Sequence, residues 1–148
     1  FDRLKIWRSF GGERSGTGRA GISGTGSTRA VELVAEVLTQ RPLEPPLHYL
    51  AALLLMELSR YSEAESALRR VIYLDPKSVV GHFMLGHVHL RQGQNDRARV
   101  AFRNARDRAS AMAPDERAGY DSYASATELA ASAQSVLDRL GRDPTRRP

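Results

Sequence analysis

The chain has 148 residues, of which 41% are hydrophobic, 26% charged and 7% aromatic, a composition that fits one globular domain packed mainly by Leu, Ala and Val. It has no cysteine, which excludes disulfide frameworks, thiolate zinc sites and cysteine nucleophiles, and it has no apolar run long enough to span a membrane. The net charge of +5 belongs to the two ends. Arg3, Lys5, Arg8, Arg14, Arg19 and Arg29 are balanced only by Asp2 and Glu13, and Arg142, Arg146 and Arg147 only by Asp143, while the middle is close to neutral. This basic excess reads as solvated terminal charge, so no specific nucleic-acid partner is expected.

Residues Phe1 to Phe10 mix charge with apolar positions and lack the apolar core of a secretory signal. With no cysteine present, a cytoplasmic location is expected. The chain begins at Phe1 without an initiator Met and reads as a piece of a longer protein. Residues 11–27 are crowded with glycine and show neither helical nor strand periodicity, so 1–27 is expected to be a flexible, basic N-terminal segment. Within it, Gly16, Gly18 and Gly21 spell G-x-G-x-x-G. A dinucleotide site needs that turn between a strand and a helix of a parallel sheet, and nothing downstream can build one.

From Ser27 the periodicity becomes helical. Ser27 or Thr28 can cap a helix over 28–41, with Ala30, Val31, Leu33, Val34, Val37 and Leu38 as its apolar stripe and Pro42 as its stop. Pro45 and Pro46 suit the first turn of the next helix, which runs to about Leu58. Further helices are expected from Tyr61 to Tyr73, from Ser78 to Arg91, and from Asn95 or Asp96 to Met112, ended by Asp75-Pro76, Gly93 and Ala113-Pro114 respectively. A last helix over 122–140 carries Leu129, Val136, Leu137 and Leu140 and stops at Gly141, leaving 142–148 as a basic tail. No strand is expected in 28–141.

A shift of 34 residues superposes the middle of the chain on itself. His48 meets His82, Ser59 meets Gly93, and Ala30, Ala64 and Ala98 share one position. Val34, Leu68 and Phe102 share another, Val37, Val71 and Ala105 a third, and Pro42 meets Pro76. Small residues recur where paired helices approach, large ones where a side chain fills the gap to the next pair, and proline where the chain turns. A single helix pair cannot bury its apolar face, so stacking must supply the core. The pattern resembles the tetratricopeptide (TPR) repeat, in units 45–78 and 79–112. The resemblance implies an all-α fold, an antiparallel helix-pair superhelical stack over 28–141, with 122–140 as a C-terminal capping helix. Ala51-Ala52 and Ser59 depart from the usual Leu-Gly and Gly of that pattern.

The wording around the repeats is narrower. Leu47-His48-Tyr49-Leu50, Ala52-Leu53-Leu54-Leu55, Ala67-Leu68-Arg69-Arg70, Tyr73-Leu74-Asp75-Pro76, His82-Phe83-Met84-Leu85-Gly86 and Phe102-Arg103-Asn104-Ala105 are similar to the C-terminal TPR region of bacterial CheR-type chemotaxis methyltransferases. Those enzymes use S-adenosylmethionine to methylate receptor glutamates. The resemblance implies that this segment is the docking or regulatory arm of such an enzyme, with catalysis upstream, and that its partners include chemoreceptor or chemosensory proteins. The alternative is a general TPR adaptor that assembles another bacterial complex. In either case the chain is not an enzyme by itself, and it has no expected catalytic, cofactor or metal residues.

The repeat register places the first helix of each pair on the inner face. A partner groove is therefore expected from Tyr49, Leu53, Met56 and Glu57 in one repeat and Phe83, His87, Leu90 and Arg91 in the next, a mix of apolar anchors and polar groups that suits a bound peptide or helix. The last helix could also fill that groove itself. His82, His87 and His89 share a helix, but their spacings are not the i, i+3 or i, i+4 that a metal pair wants. Asp115-Glu116 reads as helix capping or solvated charge, and Tyr120 and Tyr123 as packing residues.

Overall fold

The computed structural model describes residues 20–120 and 124–142, with side chains from Gly26 onward. Six helices follow one another: α1 (Ala20–Gln40), α2 (Pro45–Glu57), α3 (Tyr61–Leu74), α4 (Val79–Arg91), α5 (Asn95–Ser110) and α6 (Ala126–Gly141). Among the described residues, the β structure is limited to an isolated bridge between Arg117 and Ser125. The main packing is sequential, each helix against the next, with a lesser contact between α4 and α6. This is an all-α stack of antiparallel helix pairs. Among the described residues no helix is long and apolar enough to cross a membrane.

The boundaries follow local chemistry. Pro45 and Pro46 open α2, where the missing N–H groups cost nothing. The Ser78 side chain accepts the Gly81 N–H at 3.0 Å and caps α4. The turn after α2 puts Ser59 at φ +59°, and the equivalent turn after α4 puts Gly93 at φ +73°, so both repeats reverse through the same left-handed residue. The prolines contribute their carbonyls as well. His48 donates from Nε2 to the Pro42 oxygen at 2.8 Å, and His82, one repeat on, lies near the Pro76 backbone. Arg108 donates to the Pro76 oxygen at 2.9 Å.

The core runs the length of the stack and is built from the repeating positions. Ala64, Leu68 and Val71 of α3 and Ala98, Phe102 and Ala105 of α5 are all fully buried. Burying Leu68 or Phe102 contributes about 1.5–3 kcal/mol each. Gly86 of α4 lies against the Phe102 ring so closely that a Cβ there would come within 2.8 Å of it. The equivalent positions of α1 are treated differently. Val34 is buried, but Leu33 and Val37 are 46% and 43% exposed, because the main contact of α1 is with α2 alone.

Two boundaries differ from the sequence expectation. The first helix begins at Ala20, not at 28, so Ser27 and Thr28 lie inside it and cap nothing. The helix continues through Gly21, Gly24 and Gly26, each of which costs about 1 kcal/mol relative to Ala but does not forbid a helix. The rest of the expected flexible segment, 1–19, lies outside the described residues, as do most of the G-x-G-x-x-G run and the tail from 143. The last helix begins at Ala126, not at 122, because Ser125 supplies the cap. Its side chain accepts the Glu128 N–H at 3.2 Å while Glu128 accepts the Ser125 N–H at 3.1 Å, a reciprocal capping box.

Candidate functional site

By the repeat register the inner face is expected from α2, α4 and, after them, α6. The expected groove residues come from the first two of these helices and divide into two depths. Tyr49, Leu53, Glu57 and Leu90 are half-buried and Arg91 is exposed. Leu50, beside Tyr49, is 43% exposed. Met56 and Phe83, by contrast, are 8% and 6% exposed and belong to the packed core. They lie beneath the face as its floor and do not line it.

His87 is half-buried beside that floor. Its ring packs edge-on against Phe83, centroids 4.8 Å apart at 73°, and against Phe102, 5.0 Å apart at 88°. Phe83 and Phe102 meet each other at 5.6 Å and 80°. The three rings form a mutually perpendicular cluster, an arrangement that aromatic quadrupoles favour. Burial, helped by the nearby Arg91 and Arg139 cations, lowers the His87 pKa to about 4, so the ring is neutral. The other two histidines of α4 have separate surroundings. His82 is buried beside Pro76 and Arg108, and burial followed by the Arg108 charge lowers its pKa. His89 is buried with Nδ1 3.0 Å from Gln94 Oε1. Among the described residues no group of three or more His, Cys, Asp or Glu is placed to hold a metal ion.

The connection between α5 and α6 contributes a residue that the periodicity does not assign to the site. Tyr120 reaches back to the first repeat unit. Its ring lies 5.5 Å from that of Tyr49, tilted by 58°, and its hydroxyl donates to Asp75 Oδ2 at 2.8 Å. The Ser78 side chain lies close to the same phenol, and burial, with Asp75 and Tyr49 nearby, raises the Tyr120 pKa strongly. The sequence signal was the length of that connection: the turns between the earlier helices are tight, and this one is not. Tyr123 lies outside the described residues. Glu116 accepts the Ala113 N–H at 3.2 Å, which fits a capping role, and Asp115 is exposed.

The last helix adds to the end of the stack. It packs mainly on α5, with Arg99 donating to the Leu140 carbonyl at 2.7 Å and Arg106 to Gln134 Oε1 at 2.9 Å. Its contact with α4 is smaller, and the expected groove residues of α2 are not covered by it to any comparable extent.

Residues 45–78 match the tetratricopeptide repeat family. No curated protein matches the chain. Among solved structures, the fold is similar to that of PcrH, seen in complex with the chaperone binding region of PopD. The two share 15% identity over 94% of this chain and 90% of that one, with a TM-score of 0.67. The fold is therefore a TPR-type helical stack.

Proposed function

We propose that this helical stack is a protein–protein interaction scaffold that receives a peptide or helix along the inner face of α2 and α4. The observation that carries this reading is the two-layered face. Tyr49, Leu53 and Leu90 offer partly exposed apolar anchors beside Glu57, His87 and Arg91, over a buried floor of Met56 and Phe83. Such a face buries apolar side chains of a partner and uses the flanking charges to set orientation. The PcrH structure, which contains a partner's binding region, supports the same reading. The face presents no nucleophile–base pair, which favours an adaptor over a catalyst.

The finer proposal follows the residues that resemble the C-terminal region of CheR-type enzymes. In it, the stack is the cytoplasmic docking or regulatory arm of a bacterial chemosensory receptor-glutamate methyltransferase, and its partners are chemoreceptor or chemosensory proteins. The alternative is an adaptor for assembly of another bacterial complex.

Site-specific photo-crosslinking in the source cells tests both levels. A photoreactive residue at Leu53 or Leu90 should crosslink a discrete partner, and one at Val100, exposed on α5, should not. Equal crosslinking at all three positions would overturn the groove reading. Crosslinked peptides from chemosensory proteins would support the finer proposal, and peptides from an unrelated assembly would favour the alternative. The isolated chain should show no heat on titration with S-adenosylmethionine.

A further inference from the structure

We propose that the recess formed by Tyr49, Asp75 and Ser78 is a subsite for a tyrosine side chain of the partner segment, and that the chain's own Tyr120 occupies it as a stand-in when no partner is bound. The inference rests on the groove reading and deepens it.

Three observations support it. First, the recess lies on the expected binding face, because Tyr49 is its wall and belongs to the groove register of α2. Second, its chemistry fits a phenol. Tyr49 offers a tilted ring contact at 5.5 Å, Asp75 accepts the hydroxyl hydrogen bond at 2.8 Å, and the buried Ser78, which accepts the Gly81 N–H, lies close to the phenol. A phenylalanine would leave the Asp75 oxygen without that donor, and a phosphotyrosine would set a second negative charge against the carboxylate. Burial in the recess raises the Tyr120 pKa, which favours the neutral phenol there.

Third, the connection is held in place by bonds that do not involve Tyr120. Ala118 N–H donates to the Ala124 carbonyl at 3.1 Å, Ala126 N–H to Glu116 at 2.8 Å, and the Thr127 hydroxyl to Pro114 at 2.8 Å. These bonds tie the connection to the start of α6. The Tyr120 side chain can therefore leave the recess by rotating, without dismantling the loop or the helix behind it.

The test uses the full chain and a synthetic peptide of residues 114–120, Pro-Asp-Glu-Arg-Ala-Gly-Tyr, followed by amide chemical shifts around Tyr49 and Asp75 to Ser78. The Tyr120→Ala chain should bind this peptide at least tenfold more tightly than the unaltered chain. A peptide ending in phenylalanine should bind about tenfold more weakly, and one ending in phosphotyrosine should not bind. The Tyr120→Phe chain, which keeps the packing and loses the hydroxyl, should be intermediate. Equal binding by the unaltered and Tyr120→Ala chains, or no binding by a Tyr120→Ala chain that still melts cooperatively, would overturn the proposal. If crosslinking at Leu53 and Leu90 persists in that case, the groove reading survives and only the subsite is lost.

Discussion

The Gly86 Cα and the Phe102 ring occupy adjoining space with no room between them: a methyl group on Gly86 would sit 2.8–2.9 Å from three ring carbons. The ring cannot retreat, because Phe102 is fully buried between Phe83 and His87. Gly86→Ala should therefore destabilise the fold by about 1–3 kcal/mol despite the better helix propensity of alanine. Gly26 has open space at its Cβ, so Gly26→Ala should stabilise by up to about 1 kcal/mol. Urea denaturation of the two variants should show midpoint shifts of opposite sign.

Ser59 holds a left-handed conformation that Gly93 adopts freely at the equivalent turn. Left-handed backbone costs a residue with a Cβ about 1–2 kcal/mol, part of which glycine returns as unfolded-state entropy. Ser59→Gly should raise stability by roughly 0.5–1 kcal/mol, and Gly93→Ala should lower it by a similar or larger amount. Thermal melts of the two variants check the pair.

Histidine 87 couples stability to pH. Its folded pKa is near 4, and an unfolded histidine titrates near 6.5. Between those values the unfolded chain binds a proton that the folded chain refuses. Stability therefore rises with pH through this window, is complete above about 6.5, and falls by about 3 kcal/mol as pH drops to 4. His82, also depressed by burial, acts in the same direction. The Arg91 and Arg139 cations reinforce the effect. In His87→Leu the slope of the urea midpoint between pH 6.5 and 4.5 should shrink to the remainder set by His82 and the carboxylates.

Two of the polar devices at the end of the stack can be weakened separately. Ser125→Ala removes the cap of α6 and should cost about 1 kcal/mol. Arg99→Ala removes the bond to the Leu140 carbonyl and should cost about 1–2 kcal/mol. Both should speed amide exchange within α6 and leave α2 and α3 unchanged.

Much of the fold was legible because the chain is punctuated where its backbone must turn. Pro42, Pro45, Pro76 and Gly93 mark helix ends within a residue or two, and the 34-residue register assigned Ala64, Leu68, Ala98 and Phe102 to the core. The start of α1 was not legible, since glycine content argues against a helix by average cost and says nothing of a particular helix that tolerates it. The start of α6 was available in Ser125-x-x-Glu128, a capping box that the nearby Ser122 obscured. For the site, the register selected Tyr49 and Leu53 on the face, but it cannot distinguish a lining residue from a floor residue. Phe83 is buried against Phe102, which comes from another helix. Tyr120 was beyond reach because its role depends on a contact 45 residues away across an irregular connection.

The half-exposed Leu33–Val37 stripe of α1 has a kinetic consequence. In a linear array, each unit is held by the interfaces it shares with its neighbours. Among the described residues every interior helix has two, and α1 has one main contact, with α2. Its local opening free energy is therefore the lowest in the array, and unfolding has a preferred origin and a direction, beginning at the N-terminal end and running toward the Phe102 cluster. A protease or an exchange experiment should read this as a gradient along the chain, and any ligand that covers Leu33 and Val37 would raise the barrier for the whole molecule by closing the end from which it unzips.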